Sequence, residues 1–307
     1  MNRRDFLKSA AAAAGVAAGW AHLAKGQSGG AAVSQAGAGA DARKPAVLNL
    51  CSQESRVPGK SLREKVEKLQ SWGAAGVEIT GRKVAERVRE IKDAVKGTTV
   101  KVSAVCAGYF RLIDPDESKR KAGAQQLKDL CSPAGEIESV GIIMVPAFNN
   151  HPQLHPKEAR KVLVDTLPEI GEAARKAGTR ILMEPLNRGE AFFLRQLADA
   201  ASICRDVNHP GIGMMGDFYH MYKEETSDLG AFISAGKYLY HVHLGSRLRY
   251  MPGQDERSFV DGFRGLKMIG YRGYCSMECK CKKGTDPDKA IPESFRFLER
   301  QWKEATI

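Results

Sequence analysis

Four short apolar runs in the second half of the chain each end in an acid or an imidazole. The residues at these ends are Glu184, Asp217, His243 and Glu278. A carboxylate at the end of a buried strand needs a counter-charge, and three carboxylates at one place repel one another unless a cation lies among them. Four independent ion pairs are the alternative, but repetition over successive runs favours one shared cation. Oxygen-rich ligation with one imidazole suits a divalent ion, Mn²⁺, Mg²⁺ or Co²⁺, better than a closed zinc site.

The segment His241-Val242-His243 supplies two imidazoles within three residues. We expect only one of them to face the site, and we assign that position to His243 because it lies nearer the end of its run. His241 is expected to pack outside or behind it. Two further acids near the ends of early runs, Glu54 and Glu78, receive no role from their sequence context.

The elements that must position these residues alternate regularly from Pro45 onward. Continuous apolar runs are typical of parallel strands covered by helices, and eight of them occur, at 46–51, 76–80, 100–106, 141–146, 180–184, 211–217, 240–244 and 273–278. Amphipathic helical stretches lie between them, at 62–72, 84–95, 158–177, 192–207, 259–269 and 291–303. This alternation fits either a closed (β/α)8 barrel or an open doubly wound sheet.

Two observations favour the closed barrel. No run is followed by GxGxxG or GxxxxGK[ST], the loops that bind dinucleotides or phosphates in open sheets. The reactive residues come at the C-terminal ends of their strands, which is where TIM barrels place catalytic groups. We therefore predict an α/β fold, a single-domain (β/α)8 TIM barrel over residues 45–307.

The first residues have the composition of an export signal. Arg3-Arg4 is followed by Phe6-Leu7-Lys8 and then by an Ala-rich run over 9–24, which resembles the bacterial twin-arginine signal. We expect a signal peptide over 1–26, a flexible Gly/Ala/Ser-rich linker over 27–44, and export to the periplasm by the twin-arginine machinery. That resemblance implies a protein exported in its folded form, often with its cofactor already bound.

Composition and charge exclude several classes of protein. A content of 43% hydrophobic and 27% charged residues is not that of a disordered chain. The net charge is +11, yet the body has no dense Lys/Arg block with interleaved aromatic residues, so no nucleic-acid partner is expected. No apolar stretch is long enough for a stable membrane span.

Four motifs together resemble a known family. They are Glu184-Pro185-Leu186-Asn187-Arg188-Gly189-Glu190, Asp217-Phe218-Tyr219-His220, His241-Val242-His243 with Arg249 and Pro252-Gly253 beyond it, and Glu278. In combination they are similar to the sugar phosphate isomerase/epimerase superfamily, whose fold is the xylose isomerase-like TIM barrel. Within it they are most similar to the ketose 3-epimerases and the hydroxypyruvate isomerases. The resemblance extends from about residue 45 to the end and is strongest between Glu184 and Glu278.

The resemblance implies roles for individual residues. It implies one divalent metal ion, with Mn²⁺ favoured, held by Glu184, Asp217, His243 and Glu278. The two glutamates would also be the catalytic acid/base pair. Contacts to the sugar oxygens would come from Glu190, His220 and Arg249. Each of these three has an alternative, since Glu190 could cap a helix beginning near Ala191, His220 could act behind the ligands, and Arg249 could be a solvated loop cation.

The expected function is a metal-dependent isomerase or epimerase of a ketose or related keto sugar. Removing a proton beside a carbonyl gives an enediolate, whose charge a divalent ion stabilises while two carboxylates move the proton. The expected partners are this small substrate and the export machinery, with a homo-oligomer possible.

Three other functions stay open at this point. A lyase or hydrolase acting on an oxidised (3-keto) glycoside would use the same chemistry. An apurinic-site endonuclease is disfavoured because Cys106-Ala107-Gly108 ends the third run without a histidine. A non-catalytic sugar-binding protein is disfavoured because every ligand and acid/base position is filled.

Overall fold

The computed structural model of this chain describes residues 39–307. The predicted signal peptide and the linker residues up to 38 lie outside the described residues. Within the described range, none of the helices combines the length and the apolar character that crossing a membrane requires.

Eight parallel strands form a closed barrel in chain order, and the ring closes where β1 pairs with β8. The fold predicted from the sequence is confirmed, and each predicted strand exists with ends shifted by at most three residues. The strands are β1 Asn49–Gln53, β2 Gly76–Thr80, β3 Lys101–Tyr109, β4 Ile142–Val145, β5 Ile181–Met183, β6 Ile212–Asp217, β7 Leu239–His243 and β8 Tyr274–Met277.

Helices cover the outside of this barrel. Those in the described range are α1 Leu62–Ser71, α2 Val84–Val95, α3 Glu117–Asp129, α4 Cys131–Glu136, α5 Pro156–Lys176, α6 Leu197–Val207, α7 Phe218–Glu224, α8 Asp228–Ala235, α9 Val260–Met268 and α10 Pro287–Glu304. The sequence pattern did not predict α3, α4, α7 or α8. Helix α3 buries only three residues, and the other three are too short to show a clear helical period.

One predicted helix begins later than its pattern indicated. The amphipathic stretch 192–207 is helical only from Leu197. Leu194 has a φ of 59°, in the left-handed region that a right-handed helix excludes. The residues before Leu197 therefore form a loop over the end of β5, beside the site.

The barrel interior below the site is packed with apolar side chains. Leu182 and Met215 precede Glu184 and Asp217 by two residues, so they share the inward face of their strands. They pack with Ala104 on β3 in a small buried cluster. Because this layer fills the barrel, polar chemistry is confined to its C-terminal end.

The last part of the predicted linker contacts the barrel just before the start of β8. The Asp41 N–H donates to the Gly270 carbonyl at 3.3 Å, and Ala40 packs against the main core. Arg272 donates from Nη1 to the Pro45 carbonyl at 2.8 Å. Residues 39–44 therefore lie against the barrel wall.

Two helical glycines predict opposite effects on stability. A Cβ at Gly123 in α3 would collide with the backbone carbonyl of Phe110, so Gly123→Ala should lower the free energy of unfolding by about 1–3 kcal/mol. At Gly230 in α8 the nearest atom to an added Cβ lies 3.7 Å away on Ser227, so there is room for a methyl group. Gly230→Ala should therefore raise the free energy of unfolding by about 0.5–1 kcal/mol. Denaturant unfolding of both variants checks this, and equal effects would contradict the packing at Phe110.

Candidate active site

The C-terminal ends of the last four strands bring the four predicted ligands together. Glu184, Asp217, His243 and Glu278 each offer one ligand atom, and these atoms all lie within 4.8 Å of one another. His243 Nδ1 lies 3.4 Å from Glu184 Oε1 and 3.3 Å from Glu278 Oε2. The side chains of Glu184, Asp217 and His243 are almost completely buried, and that of Glu278 is 15% exposed.

The free atoms of this cluster have the arrangement that a cation requires. Glu184 Oε1, Asp217 Oδ2 and His243 Nδ1 are buried and have no hydrogen-bond partner. Orphaned polar atoms in a buried site are costly, and two unpartnered carboxylate oxygens beside an imidazole nitrogen are the donors that a divalent metal prefers. The residues present therefore fit a divalent metal ion.

The electrostatics of the cluster lead to the same conclusion. Burial raises the pKa of Asp217 to about 8, and the charges of Glu278 and Glu184 add to the effect. Burial also raises the pKa of Glu184. For His243, burial is outweighed by the charges of Glu78 and Glu278, which hold its pKa well above the ordinary value. Protons are therefore favoured on Glu184, Asp217 and His243, which is what a site short of positive charge would show.

Arg249 supplies a cation at the edge of the cluster. Its Nη2 donates to Glu278 Oε2 at 2.5 Å, and its Nη1 lies 3.7 Å from Glu190 Oε1. The guanidinium carbon lies 4.7 Å from the centre of the Tyr219 ring. Burial raises the pKa of Glu278, but His243 and Arg249 outweigh it and lower that pKa to about 2. Arg249 is therefore part of the site rather than a solvated loop cation.

His220 is buried beside the cluster as a neutral imidazole. Burial, aided by the charge of Arg249, lowers its pKa to about 3. Its Nδ1 accepts the Asn187 backbone N–H at 3.1 Å, so the ring proton is on Nε2. That Nε2 has no hydrogen-bond partner and lies 3.5 Å from Asp217 Oδ2. His220 can therefore donate one hydrogen bond into the site without adding positive charge.

Glu190 lies at the rim of the site and does not cap a helix. Its Oε1 accepts from Asn187 Nδ2 at 3.0 Å, and its side chain is about one-third exposed. No helix begins near Ala191, because α6 starts only at Leu197. The carboxylate is free to accept a hydrogen bond from a bound molecule.

Of the paired histidines, His243 lies in the cluster and His241 lies behind it against Glu78, but the expectation that only one imidazole faces inward was wrong. Residues two apart on a strand point to the same side, so both imidazoles of β7 face the barrel interior. His241 Nε2 and His243 Nε2 lie 2.8 Å and 3.0 Å from the same oxygen, Oε2 of Glu78. Glu78 received no role from its sequence context. Its position within the apolar run of β2 could have indicated that its side chain is buried.

The other early acid, Glu54, belongs to the framework. It accepts two hydrogen bonds from Arg87, at 2.8 Å and 2.7 Å, and one from the Thr80 N–H at 2.9 Å. None of its hydrogen-bond partners is a residue of the metal cluster.

A cavity of about 220 Å³ is lined in part by Glu278. Its wall includes Tyr219 and Arg249 together with Leu248, whose side chain is exposed although it is apolar. Two more cations, Arg56 and Lys280, lie along the same wall. The cavity offers space for a substituent on a molecule bound at the cluster.

Comparison with known proteins gives a consistent set of relatives. A family model described as the xylose isomerase-like TIM barrel matches residues 66–301. The 3-dehydro-D-guloside 4-epimerase of Escherichia coli is 30% identical over 248 residues, which is 78% of this chain and 94% of the relative. The D-psicose 3-epimerase of Ruminiclostridium cellulolyticum is 33% identical over 115 residues, 38% of this chain and 39% of the relative.

Solved structures agree with the fold. The crystal structure of apo 3-keto-D-glucoside 4-epimerase from E. coli superposes with a TM-score of 0.75 at 27% identity, covering 83% of this chain and all of that one. These relatives are epimerases, so the prediction of an isomerase-class enzyme from the sequence is confirmed.

The cluster predicts a metal affinity that depends on His243. His243→Gln should weaken binding of Mn²⁺ or Co²⁺ by about tenfold or more, because it removes the nitrogen donor of the cluster. His155→Gln is the matched control, since His155 is exposed at the start of α5 and its side chain caps nothing. Titration calorimetry of both variants checks this, and equal affinities would argue against the site.

Metal binding should also release protons. Asp217 is protonated below its pKa of about 8 in the metal-free protein, and a cation has to displace that proton. The apparent metal affinity should therefore rise with pH up to about 8, by about tenfold per pH unit for each proton released. Calorimetry in buffers of different ionisation enthalpy counts the protons, and an affinity independent of pH between 6 and 8 would contradict the raised pKa.

Proposed function

The chain belongs to the xylose isomerase-like TIM barrel family, and we propose that it is a divalent-metal-dependent epimerase or isomerase of a keto sugar. The observation that carries this proposal is the pair of carboxylates, Glu184 and Glu278, at one cluster of unpartnered donor atoms. A binding protein has no need of two carboxylates held in contrasting environments.

The chemistry divides between the metal and the side chains. A divalent ion bound at the cluster would act as a Lewis acid toward the substrate carbonyl and its neighbouring hydroxyl. Glu278, held ionised by Arg249, takes a proton from the carbon next to the carbonyl. Glu184, the second carboxyl group of the cluster, returns a proton taken up from solvent to the same carbon.

Three residues would bind the sugar and stabilise the enediolate. Arg249 supplies the positive charge beside the developing oxyanion, and His220 donates a neutral hydrogen bond from Nε2. Glu190 accepts from a sugar hydroxyl at the rim. Of these three residues, only Arg249 carries positive charge.

We propose a 3-keto glycoside as the substrate class to test first. The 3-dehydro-D-guloside 4-epimerase matches over 94% of its length, whereas the D-psicose 3-epimerase matches over 39%. The cavity beside Glu278 gives the glycosidic substituent a place that a free ketose does not need.

The decisive experiment incubates the Mn²⁺-loaded protein with 3-keto glycosides and free ketoses in D₂O. Deuterium at an inverted carbon, with the glycosidic bond intact, supports an epimerase, whereas release of the aglycone supports a lyase.

The proton-transfer role predicts a separation between two variants. Glu278→Gln should abolish deuterium exchange into bound substrate, a loss of about 10²–10⁴-fold, while metal still binds measurably. Arg249→Ala should keep slow exchange, because it removes charge at the oxyanion and leaves both carboxylates. Mass spectrometry of recovered substrate and metal analysis measure both effects. Deuterium exchange at the wild-type rate in Glu278→Gln would show that another residue acts as the base.

Mn²⁺ is the proposed physiological metal, because a mixed set of carboxylates and one imidazole suits it. Metal analysis of the protein as isolated, together with the activity ranking of Mn²⁺, Mg²⁺ and Co²⁺, tests this. We also propose that the protein forms a homo-oligomer, which light scattering of the purified protein tests.

Export by the twin-arginine route to the periplasm is proposed from the N-terminal residues alone. Replacing Arg3 and Arg4 by Lys should block export and leave the activity of the purified barrel unchanged, because the signal contributes nothing to the site. Fractionation of cells expressing both forms measures this. Undiminished export of the double variant would reject the twin-arginine route.

A further inference from the structure

The carboxylate of Glu78 is completely buried beneath the cluster, and the proposed reaction does not use it. Three donors hold it. His241 and His243 both donate from Nε2 to its Oε2, at 2.8 Å and 3.0 Å, and Gln53 donates from Nε2 to its Oε1 at 2.8 Å. With both oxygens engaged, this carboxylate has one fixed orientation.

This orientation decides which nitrogen of His243 is free. An ionised carboxylate only accepts hydrogen bonds, so the ring nitrogen that faces Glu78 carries a proton. The other nitrogen, Nδ1, is therefore the one that faces the cluster, 3.4 Å from Glu184 Oε1, and it offers its lone pair once a cation displaces the proton it carries. Glu78 thus sets the tautomer that a metal ligand needs.

Gln53 connects the same carboxylate to Glu278. The two amide hydrogens of its Nε2 reach Glu78 Oε1 at 2.8 Å and Glu278 Oε1 at 3.1 Å. Its own oxygen accepts from Arg56 Nε at 3.3 Å, which fixes the amide in the donating orientation. Glu278 Oε1 is held in this way, and Oε2, which accepts from Arg249, lies 3.3 Å from His243 Nδ1.

We propose that Glu78 and Gln53 are positioning residues that set the tautomer of His243 and the rotation of Glu278 for metal binding. The proposal rests on the metal site of the proposed function and does not depend on which sugar is the substrate. It also assigns a role to His241, which shares Glu78 Oε2 with His243 and restrains that oxygen.

The first test is Glu78→Gln, with Glu54→Gln as the matched control. Both changes replace a buried carboxylate by its amide, but Glu54 pairs with Arg87 and does not contact the cluster. An amide at 78 can place its NH₂ against the imidazoles and shift the proton of His243 to Nδ1. We expect metal affinity to fall by about 10–100-fold in Glu78→Gln and to change less than threefold in Glu54→Gln. Equal affinity in the two variants overturns the proposal.

The second test needs no variant of Glu78. ¹⁵N-edited spectra of the imidazole groups in the Zn²⁺-loaded wild-type protein report which nitrogen of His243 carries hydrogen. A proton on Nε2 is expected, and a proton on Nδ1 overturns the proposal. This measurement stands even if Glu78→Gln does not fold.

Gln53→Met tests the link to Glu278. It removes both amide hydrogen bonds but keeps the length of the side chain. We expect the visible spectrum of the Co²⁺ form to change and kcat to fall more than KM, because Glu278 loses a restraint. An unchanged spectrum and unchanged kcat overturn the role of Gln53.

The two proposals fail separately. Tight metal binding that depends on Glu78, in a protein without activity on any keto sugar, supports the positioning role and rejects the proposed function. Epimerase activity, together with a metal affinity that Glu78→Gln leaves unchanged, supports the proposed function and rejects the positioning role.

Discussion

The repulsion between three carboxylates at one end of a barrel is the constraint on which the site depends. Glu184, Asp217 and Glu278 are brought together by the closure of the sheet, and two of them are almost entirely buried. Without positive charge such a cluster holds protons that it would not hold in water, which is why the pKa of Asp217 rises to about 8. A divalent cation would remove that repulsion and bind the same oxygen atoms, so the repulsion between the carboxylates favours metal binding.

The remainder of the barrel supports this cluster from below and from the side. The apolar layer that includes Leu182 and Met215 excludes water from the barrel axis, so hydrogen bonds above it act in a medium of low polarity. Glu78 contacts the metal ligand His243 and accepts hydrogen bonds on both of its oxygens. A polar network of this kind orients its members because each alternative rotamer would leave a buried group unpaired.

The positions of Arg249 and His220 show how two kinds of donor serve one site. Arg249 has a φ of 57°, so its backbone takes the left-handed conformation that turns the loop toward Glu278. His220 is on α7, directly after β6, and Asn187 determines its tautomer. One residue thus provides charge and the other a directed neutral hydrogen bond, which suits an oxyanion that develops next to a metal-bound edge.

The sequence by itself determined the barrel and most of its site. Each strand is a short apolar run, and the last four are followed or ended by an acid or an imidazole, so this local pattern is sufficient to predict the barrel and the four residues at its C-terminal end. Tertiary structure decided what depends on partners distant in sequence. The role of Glu78 needs β7, 163 and 165 residues away, and the contact of Arg249 with Glu278 needs two separate loops. Helix α7 and the loop at Leu194 were likewise set by packing, since local periodicity carries no information about the neighbour against which a short segment folds.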